Sequence, residues 1–208
     1  MDEPLRADQP ESLMAPVPQS PENHATFRLA QMLLLLDVAR TSGRPISSVD
    51  RLGYYDFLAD SPFIVVDGNG PRDVEDRLAL VLAGFTPTQL SYASSGQRFA
   101  SRRRRLQHDL ARLFSYGLVD LHGVGYQVTQ AGTELAGRLN SVYADAYRVS
   151  ASIVLRRLST MSNKALERSV NSWLGESWLL IDLLDDVAET VIPRPLPEAP
   201  PDAQENQT

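Results

Sequence analysis

The 208-residue sequence predicts a mainly α-helical fold with one small β-hairpin, arranged as a winged helix-turn-helix followed by a helical C-terminal region. A long amphipathic segment at residues 97–116 ends at Gly117, which predicts a helix with a glycine stop. Two short apolar stretches, 118–121 and 126–128, then flank a glycine-containing turn, as the strands of a hairpin do. A helix start of the form Thr-x-x-Gly follows immediately. A helix, a hairpin and a capped helix in this order are typical of a winged helix.

The predicted hairpin needs a surface to pack on, because a two-stranded hairpin alone is only marginally stable in water. We therefore expect the apolar side chains of its strands to be buried against the preceding helix: Leu118, Leu121, Tyr126 and Val128. The alternative is a helical bundle in which the hairpin is incidental, and the sequence leaves that alternative open.

Helices are also predicted before the arginine-rich segment. The stretch 25–40 is rich in strong helix formers and ends at a Thr-Ser-Gly-Arg-Pro stop. Ser47 or Ser48 begins a second helix at about residues 49–60. A third helix is predicted over 72–82, since acidic residues lie in its first turn.

The C-terminal third is predicted to be helical. One helix begins near residue 131 and is expected to continue to 158. Ser162 or Asn163 begins the next helix, which extends to about residue 174. An acidic, amphipathic helix is expected at 177–189.

The two ends of the chain differ in composition from its middle. Residues 1–24 contain five prolines and five acidic residues against one arginine, and residues 190–208 contain five prolines and three acidic residues against one arginine. Such stretches cannot form an apolar core, so both are predicted to be disordered tails. The middle carries no net charge and divides into a winged-helix-like domain at 25–139 and a helical region at 140–189.

The residue types exclude several classes of function. The chain contains no cysteine, which excludes disulfides, a thiol nucleophile and a cysteine-ligated metal. Its three histidines lie far apart in the sequence, and it has no phosphate-binding glycine loop or nucleophile elbow. The longest apolar run, 32–36, is too short to span a bilayer, and the start lacks a signal pattern. We therefore expect a cytoplasmic protein that is not an enzyme, with no cofactor, metal site or membrane partner.

The arginines of the predicted helix 97–116 are the leading candidates for a binding surface. The residues expected to contact DNA or a partner protein are Arg98, Arg102, Arg104, Arg105 and Arg112. In DNA-binding winged helices this helix enters the major groove, where arginine contacts phosphates and guanine. Arginine is also enriched at protein interfaces, and a solvated face is a third interpretation. Arg103 shares the helical phase of Phe99 and Leu106, so we expect it to be the structural member of the group.

Two other features bear on the binding partner. The turn at 122–125 contains no lysine or arginine, which weighs against a wing that contacts DNA. Trp173 and Trp178 flank Gly175, and both are predicted either to pack in the core or to form part of a partner interface.

Four segments of the sequence carry a family resemblance. They are an apolar helix at 29–40, Ser-Ser-Val-Asp-Arg-Leu…Tyr-Asp-Phe-Leu at 47–58, Arg-x-x-x-x-Arg-Arg…Gly-Leu-Val at 98–119 and Tyr-x-Val-Thr-x-x-Gly at 126–132. In these segments the chain resembles the middle component of ABC-three component systems. That component is the small subunit encoded beside an SMC-like ABC ATPase in bacterial anti-phage loci such as Lamassu.

The resemblance implies a non-enzymatic adaptor that joins the SMC-like ABC ATPase to an effector subunit, often a nuclease. DNA is then a candidate partner within the complex. The residues leave two other functions open. A free-standing winged-helix transcription regulator would place the arginine-rich helix on a palindromic site as a dimer. A hydrolase or nuclease would use the carboxylates of 182–189 with a metal ion.

Overall fold

The structure is a computed structural model that describes residues 21–87, 95–123 and 125–175. Within these ranges the chain is mainly helical with one two-stranded antiparallel sheet, which confirms that part of the predicted fold class. The elements are, in chain order, α1 (Ala25–Thr41), α2 (Val49–Asp60), α3 (Pro71–Leu82), α4 (Ser95–Ser115), β1 (Val119–His122), β2 (Gly125–Val128), α5 (Gln130–Arg138), α6 (Val142–Leu158) and α7 (Asn163–Leu174). Short 3-10 turns occur at Pro21–Asn23 and Pro62–Ile64.

Some predictions fall outside the described residues. These are the acidic helix at 177–189, the tail at 190–208 and residues 1–20 of the first tail. The proposed division between residues 139 and 140 stays a prediction.

Helix α1 is the central element of the fold. Its run Met32–Leu36 is at most 2% exposed, so it is covered on all sides. The helix packs against α6, α4, α5 and β2, and a cluster of buried apolar side chains extends from α1 to α7. A helix surrounded in this way needs apolar residues around its whole circumference, and the unbroken Met-Leu-Leu-Leu-Leu run supplies them.

Side-chain caps determine where several helices begin. Ser48 accepts a hydrogen bond from the backbone N–H of Arg51, and Ser162 accepts one from that of Ala165. Each hydroxyl satisfies a backbone donor that has no partner within its helix. Of the two cap residues predicted for each helix, Ser48 caps α2 and Ser162 caps α7. Both predicted helix starts are confirmed.

The predicted continuous helix from 131 to 158 is wrong. Helix α5 ends at Arg138, and Leu139 leaves the helical region with ψ of 86°. Ser141 then begins α6 by accepting a hydrogen bond from the backbone N–H of Ala144. A serine hydroxyl competes with the helical backbone for such donors, so it favours a new start over continuation.

The hairpin pairs Val119 with Val128 and Leu121 with Tyr126. Val128 is buried as predicted, and Val119, which the prediction did not include, is buried as well, but Leu121 is 57% exposed. The predicted burial of Leu121 is therefore wrong. Only the inner end of the hairpin is covered by the core, and Leu121 lies at the turn end. Leu118 and Tyr126 are partly buried against the core.

A residue between α1 and α2 adds a third extended segment to the hairpin. Ile46 forms an antiparallel bridge with Tyr126, whose backbone N–H donates to the Ile46 carbonyl at 2.9 Å. Gly125 has φ of +133°, and a Cβ at this position would collide with the same carbonyl. Both the backbone conformation and the close approach of the two segments therefore require glycine here.

Candidate interaction surfaces

Helix α4 carries the candidate arginines, and Arg102 is the buried one. It is 8% exposed, and its guanidinium lies 3.1 Å from Asp60 Oδ2 and 3.5 Å from Asp56 Oδ2. Its Nη2 also donates to Oε1 of Gln31 at 2.6 Å. This position does not favour the expected contact of Arg102 with DNA or a partner, because its charge is already paired inside the protein, and that contact stays a prediction.

The groups around Arg102 keep it charged. Burial alone would lower the pKa of the Arg102 guanidinium, but the carboxylates of Asp56 and Asp60 outweigh burial and hold that pKa above its usual value. The hydroxyls of Tyr147 and Tyr143 donate to Asp56 and Asp60 respectively, each at 3.3 Å. Burial raises the pKa of both tyrosines, so both hydroxyls stay protonated and act as donors at neutral pH.

Two further charged side chains of α4 form ion pairs with neighbouring elements. Arg98 Nη2 lies 3.1 Å from Asp60 Oδ2 and 3.2 Å from Glu22 Oε1, so its charge is also balanced within the chain. Asp109, the one acidic residue of α4, is 2% exposed and accepts two hydrogen bonds from Arg28 of α1. These pairs hold α4 against α1 and the end of α2.

We name the connected polar side chains the inner polar cluster: Gln31, Asp56, Asp60, Arg98, Arg102, Tyr143 and Tyr147. The cluster joins α1, α2, α4 and α6. Sequence reasoning missed it. The available signal was the Asp56/Asp60 pair, four residues apart on a helix whose central turns are otherwise apolar, because buried carboxylates need a basic partner.

Arg103, predicted as the structural arginine, is partly buried and forms an ion pair: its Nη2 lies 2.9 Å from Asp50 Oδ1 on the neighbouring helix α2. It is less buried than Arg102. The principal structural role belongs to Arg102. The position of an arginine relative to the apolar residues of α4 did not predict this role of Arg102. Arg102 is buried because it pairs with the carboxylates of Asp56 and Asp60 on α2.

The remaining candidate arginines of α4 lie nearer the surface. Arg104 is exposed. Arg105 donates from Nη1 to the backbone carbonyl of Glu22 at 3.4 Å. Arg112 donates to the Tyr116 hydroxyl at 3.1 Å, and its guanidinium lies 5.9 Å from the centre of that ring. Because all three side chains are accessible to solvent, they are the candidate arginines that an external partner can reach.

The tryptophans differ in what the structure describes. Trp173 is partly buried and packs against the apolar core at the end of α7. Trp178 lies outside the described residues. A partner-contact role for either tryptophan stays a prediction.

Helix α3 presents a second surface, which sequence reasoning did not single out. Its exposed side chains include four apolar ones: Val74, Leu78, Val81 and Leu82. Their spacing of four, three and one residues places them on one side of the helix. Contiguous exposed apolar side chains mark interaction surfaces more often than isolated ones do. The helical spacing of these four residues can be seen in the sequence, but the sequence does not show that their side of α3 faces solvent.

Within the described residues, no group of three or more histidine, cysteine, aspartate or glutamate side chains is placed to hold a metal ion. The helices of the same residues include none with the length and apolar character needed to cross a membrane.

Comparison with known families gives a match in the second half of the chain. Residues 86–179, a little under half of the sequence, match the family model of ABC-three component (ABC-3C) system Middle Component 2. The matched range includes α4, the hairpin and α5 to α7. No curated protein and no solved structure gives a significant match. The family match supports a resemblance to the ABC-3C middle component, and it does not distinguish a Lamassu-type system.

Proposed function

We propose that this chain is the middle component of an ABC-three component system and acts there as a non-enzymatic adaptor. In its finer form, the proposal is that the chain joins an SMC-like ABC ATPase to an effector subunit in a cytoplasmic anti-phage complex of the Lamassu type. The observation that carries it is the match of residues 86–179 to the middle component 2 family. A component of a multi-subunit system needs surfaces for other subunits, which favours binding over catalysis.

The order of the elements supports a winged helix within residues 25–139. Helix α1, the bridging residue Ile46, helix α2, helix α4 and the hairpin follow one another as helices, first strand and wing do in that fold. Helix α3 is then an insertion between the second helix and the recognition helix. A winged helix is compatible with either an adaptor or a DNA-binding regulator, so the side chains of α4 decide between them.

The ion pairs of α4 favour the adaptor. A DNA phosphate would have to displace Asp60 and Glu22 from Arg98, and Arg102 is buried within the inner polar cluster. A free-standing regulator relies on phosphate contacts for most of its affinity. Because Arg98 and Arg102 are paired within the chain, fewer arginines of α4 are available than a free-standing regulator would use. This supports a smaller contact with an acidic surface, which belongs either to a partner subunit or to DNA held by that subunit.

The contact surface we propose on α4 consists of Arg104, Arg105 and Arg112. Arg104 lies on the exposed side of the helix, and the other two are accessible at its edge. If the partner is DNA, removing one phosphate-binding arginine should reduce the slope of log affinity against log salt by about 0.9. If the partner is a protein, the salt dependence is weaker, and the same substitution lowers the amount of co-purified subunit.

The test is affinity purification of the tagged full-length protein at native expression, followed by mass spectrometry. We expect an ABC ATPase and one unrelated subunit in a fixed ratio. The exchange Arg104→Glu should reduce their recovery, whereas Arg138→Glu, at an exposed position on α5, should not. Recovery of the protein alone, as a dimer carrying DNA, would replace the adaptor by a transcription regulator.

A further inference from the structure

A polar pocket lies between the connection from α1 to α2 and the turn from α6 to α7. Its volume is about 590 Å³, which falls within the range of roughly 300–1,000 Å³ that is usual for small-ligand sites. Arg44 and Arg51 form part of its wall, and none of the described residues that line it is acidic. The pocket therefore presents positive charge to a molecule that enters it.

Arg51 is a buried cation whose bonding partners are neutral. It is 9% exposed, and it donates to Oδ1 of Asn163, to the Tyr55 hydroxyl and to the backbone carbonyl of Met161. In the described part of the chain, no carboxylate forms an ion pair with it, whereas the buried Arg102 has two such partners. Because a buried charge is costly without a countercharge, an anion that enters the pocket is stabilised next to Arg51.

The pocket also has hydrogen-bond donors that the fold does not use. A guanidinium carries five N–H groups, and Arg51 uses three of them while Arg44 uses one, on a backbone carbonyl. The hydroxyls of Ser47, Ser159 and Thr160 line the same pocket and form no hydrogen bond with the rest of the described chain. Two cations and several free donors suit an anion with several acceptor oxygens, and arginine is the preferred partner of phosphate.

The burial of Arg51 favours a small molecule over DNA as the source of the phosphate. Phosphates of duplex DNA lie on a convex surface and meet exposed side chains, such as that of Arg104. Arg51 is 9% exposed, so a group that contacts its guanidinium has to enter the pocket. The volume of the pocket leaves room beside a phosphate group for the organic part of such a ligand.

We propose that this pocket binds the phosphate group of a small phosphorylated molecule. Arg44 and Arg51 balance the charge of the phosphate, and the hydroxyls of Ser47, Ser159 and Thr160 donate to its oxygens. The pocket shares no residue with the contact surface proposed on α4. The inference therefore stands or falls separately from the adaptor function.

Titration calorimetry and thermal unfolding of the full-length protein, in a chloride buffer free of phosphate and sulfate, test the proposal. The probes are inorganic phosphate, glycerol 3-phosphate and adenosine 5′-monophosphate, and the matched controls are glycerol and adenosine. Sodium chloride at equal ionic strength controls for screening of surface charges. A ligand that binds the folded state raises the Tm, so thermal unfolding also detects binding that releases little heat.

We expect at least one phosphate probe to bind with a Kd below about 1 mM, while glycerol and adenosine do not bind. Neither heat of binding nor a rise in Tm with any probe at about 10 mM would overturn the proposal. Equal binding of the unphosphorylated controls would overturn it too. Binding of a short DNA duplex that depends on Arg44, without binding of the small probes, would overturn it and assign the pocket to nucleic acid.

Substitutions in the wall of the pocket locate the binding. Arg44→Gln should raise the Kd at least about tenfold, because it removes a charged donor, and Thr160→Val should raise it about threefold. Arg138→Gln removes an exposed arginine of α5 and should leave the Kd unchanged. Arg51 is kept because it also holds Met161 after α6, so its replacement would combine folding with binding. An equal Kd in Arg44→Gln and Arg138→Gln would overturn the proposal.

Discussion

Arg28 of α1 holds the carboxylate of Asp109 on α4 with two hydrogen bonds, from Nε to Oδ2 at 2.6 Å and from Nη2 to Oδ1 at 3.0 Å. The two residues are 81 positions apart in the sequence, and the side chain of Asp109 is 2% exposed. A two-point contact of this kind is geometrically specific and strong for an ion pair. It therefore fixes how the arginine-rich helix lies on the central helix.

Replacing Asp109 by asparagine should destabilise the protein by about 3 kcal/mol, because it leaves the largely buried Arg28 without its countercharge. Urea unfolding followed by circular dichroism measures the change. Asp120→Asn removes a carboxylate from an exposed position of β1 and should change the stability by less than about 0.5 kcal/mol. Equal effects of the two substitutions would show that the Arg28–Asp109 pair does not contribute to stability.

Replacing Arg102 and replacing Arg104, on the same helix, should have different effects on stability, because only Arg102 has a structural role. Arg102→Met leaves Asp56 and Asp60 without their shared cation and should lower the stability by about 3–5 kcal/mol. Arg104→Met, on the exposed side, should cost less than about 1 kcal/mol. Thermal unfolding of both variants measures the difference. A more stable Arg102→Met protein would mean that the inner polar cluster opposes folding and serves another purpose.

Local features of the fold could be predicted from the sequence. Ser48 and Ser162 begin helices, and Gly117 ends one, because each acts on backbone groups within a few residues of itself. The hairpin strands were predictable for the same reason, since alternating apolar residues and a glycine turn are neighbours in sequence. Interactions of this range need no knowledge of the rest of the chain.

The orientation of side chains toward distant elements could not be predicted. Gln31 and Arg102 are 71 positions apart, and nothing near Arg102 in the sequence shows that carboxylates of α2 will face it. Helical phase therefore indicated Arg103 as the structural arginine. Leu121 was expected in the core because strand periodicity gives two faces, but it does not show how far along the hairpin the core extends.

Because Gly125 lies close to Ile46 and Gly123 does not, replacing these two glycines of one turn by alanine should change the stability by different amounts. Gly125→Ala forces a side chain into a position with φ of +133° and against the Ile46 carbonyl, which should cost at least about 1–3 kcal/mol. Gly123→Ala meets no atom within 4 Å and should be near neutral. Urea unfolding of both variants is the measurement, and equal stabilities would contradict the close approach of these two segments.

Lowering the pH should weaken the attachment of α3 to α6, and protonation of Asp73 should account for part of this effect. The hydrogen bond from Arg157, with a second from the backbone N–H of Gly70, lowers the pKa of the Asp73 carboxyl in the folded protein. A lowered pKa contributes stability above the unfolded-state value of about 3.9, and this contribution is lost as the pH falls through the folded-state pKa.

The variant Asp73→Asn should therefore lose less stability than the unmodified protein when the pH falls from about 5 to about 2. Urea midpoints at several pH values measure the slope, and hydrogen exchange of α3 shows whether the destabilisation is local. Glu75→Gln, which removes an exposed carboxylate from the same helix, is the matched control. If Asp73→Asn and Glu75→Gln reduce the loss of stability at low pH by the same amount, the ion pair with Arg157 does not lower the pKa of Asp73 enough to affect stability. The ion pairs of Asp76 would then hold α3 in place.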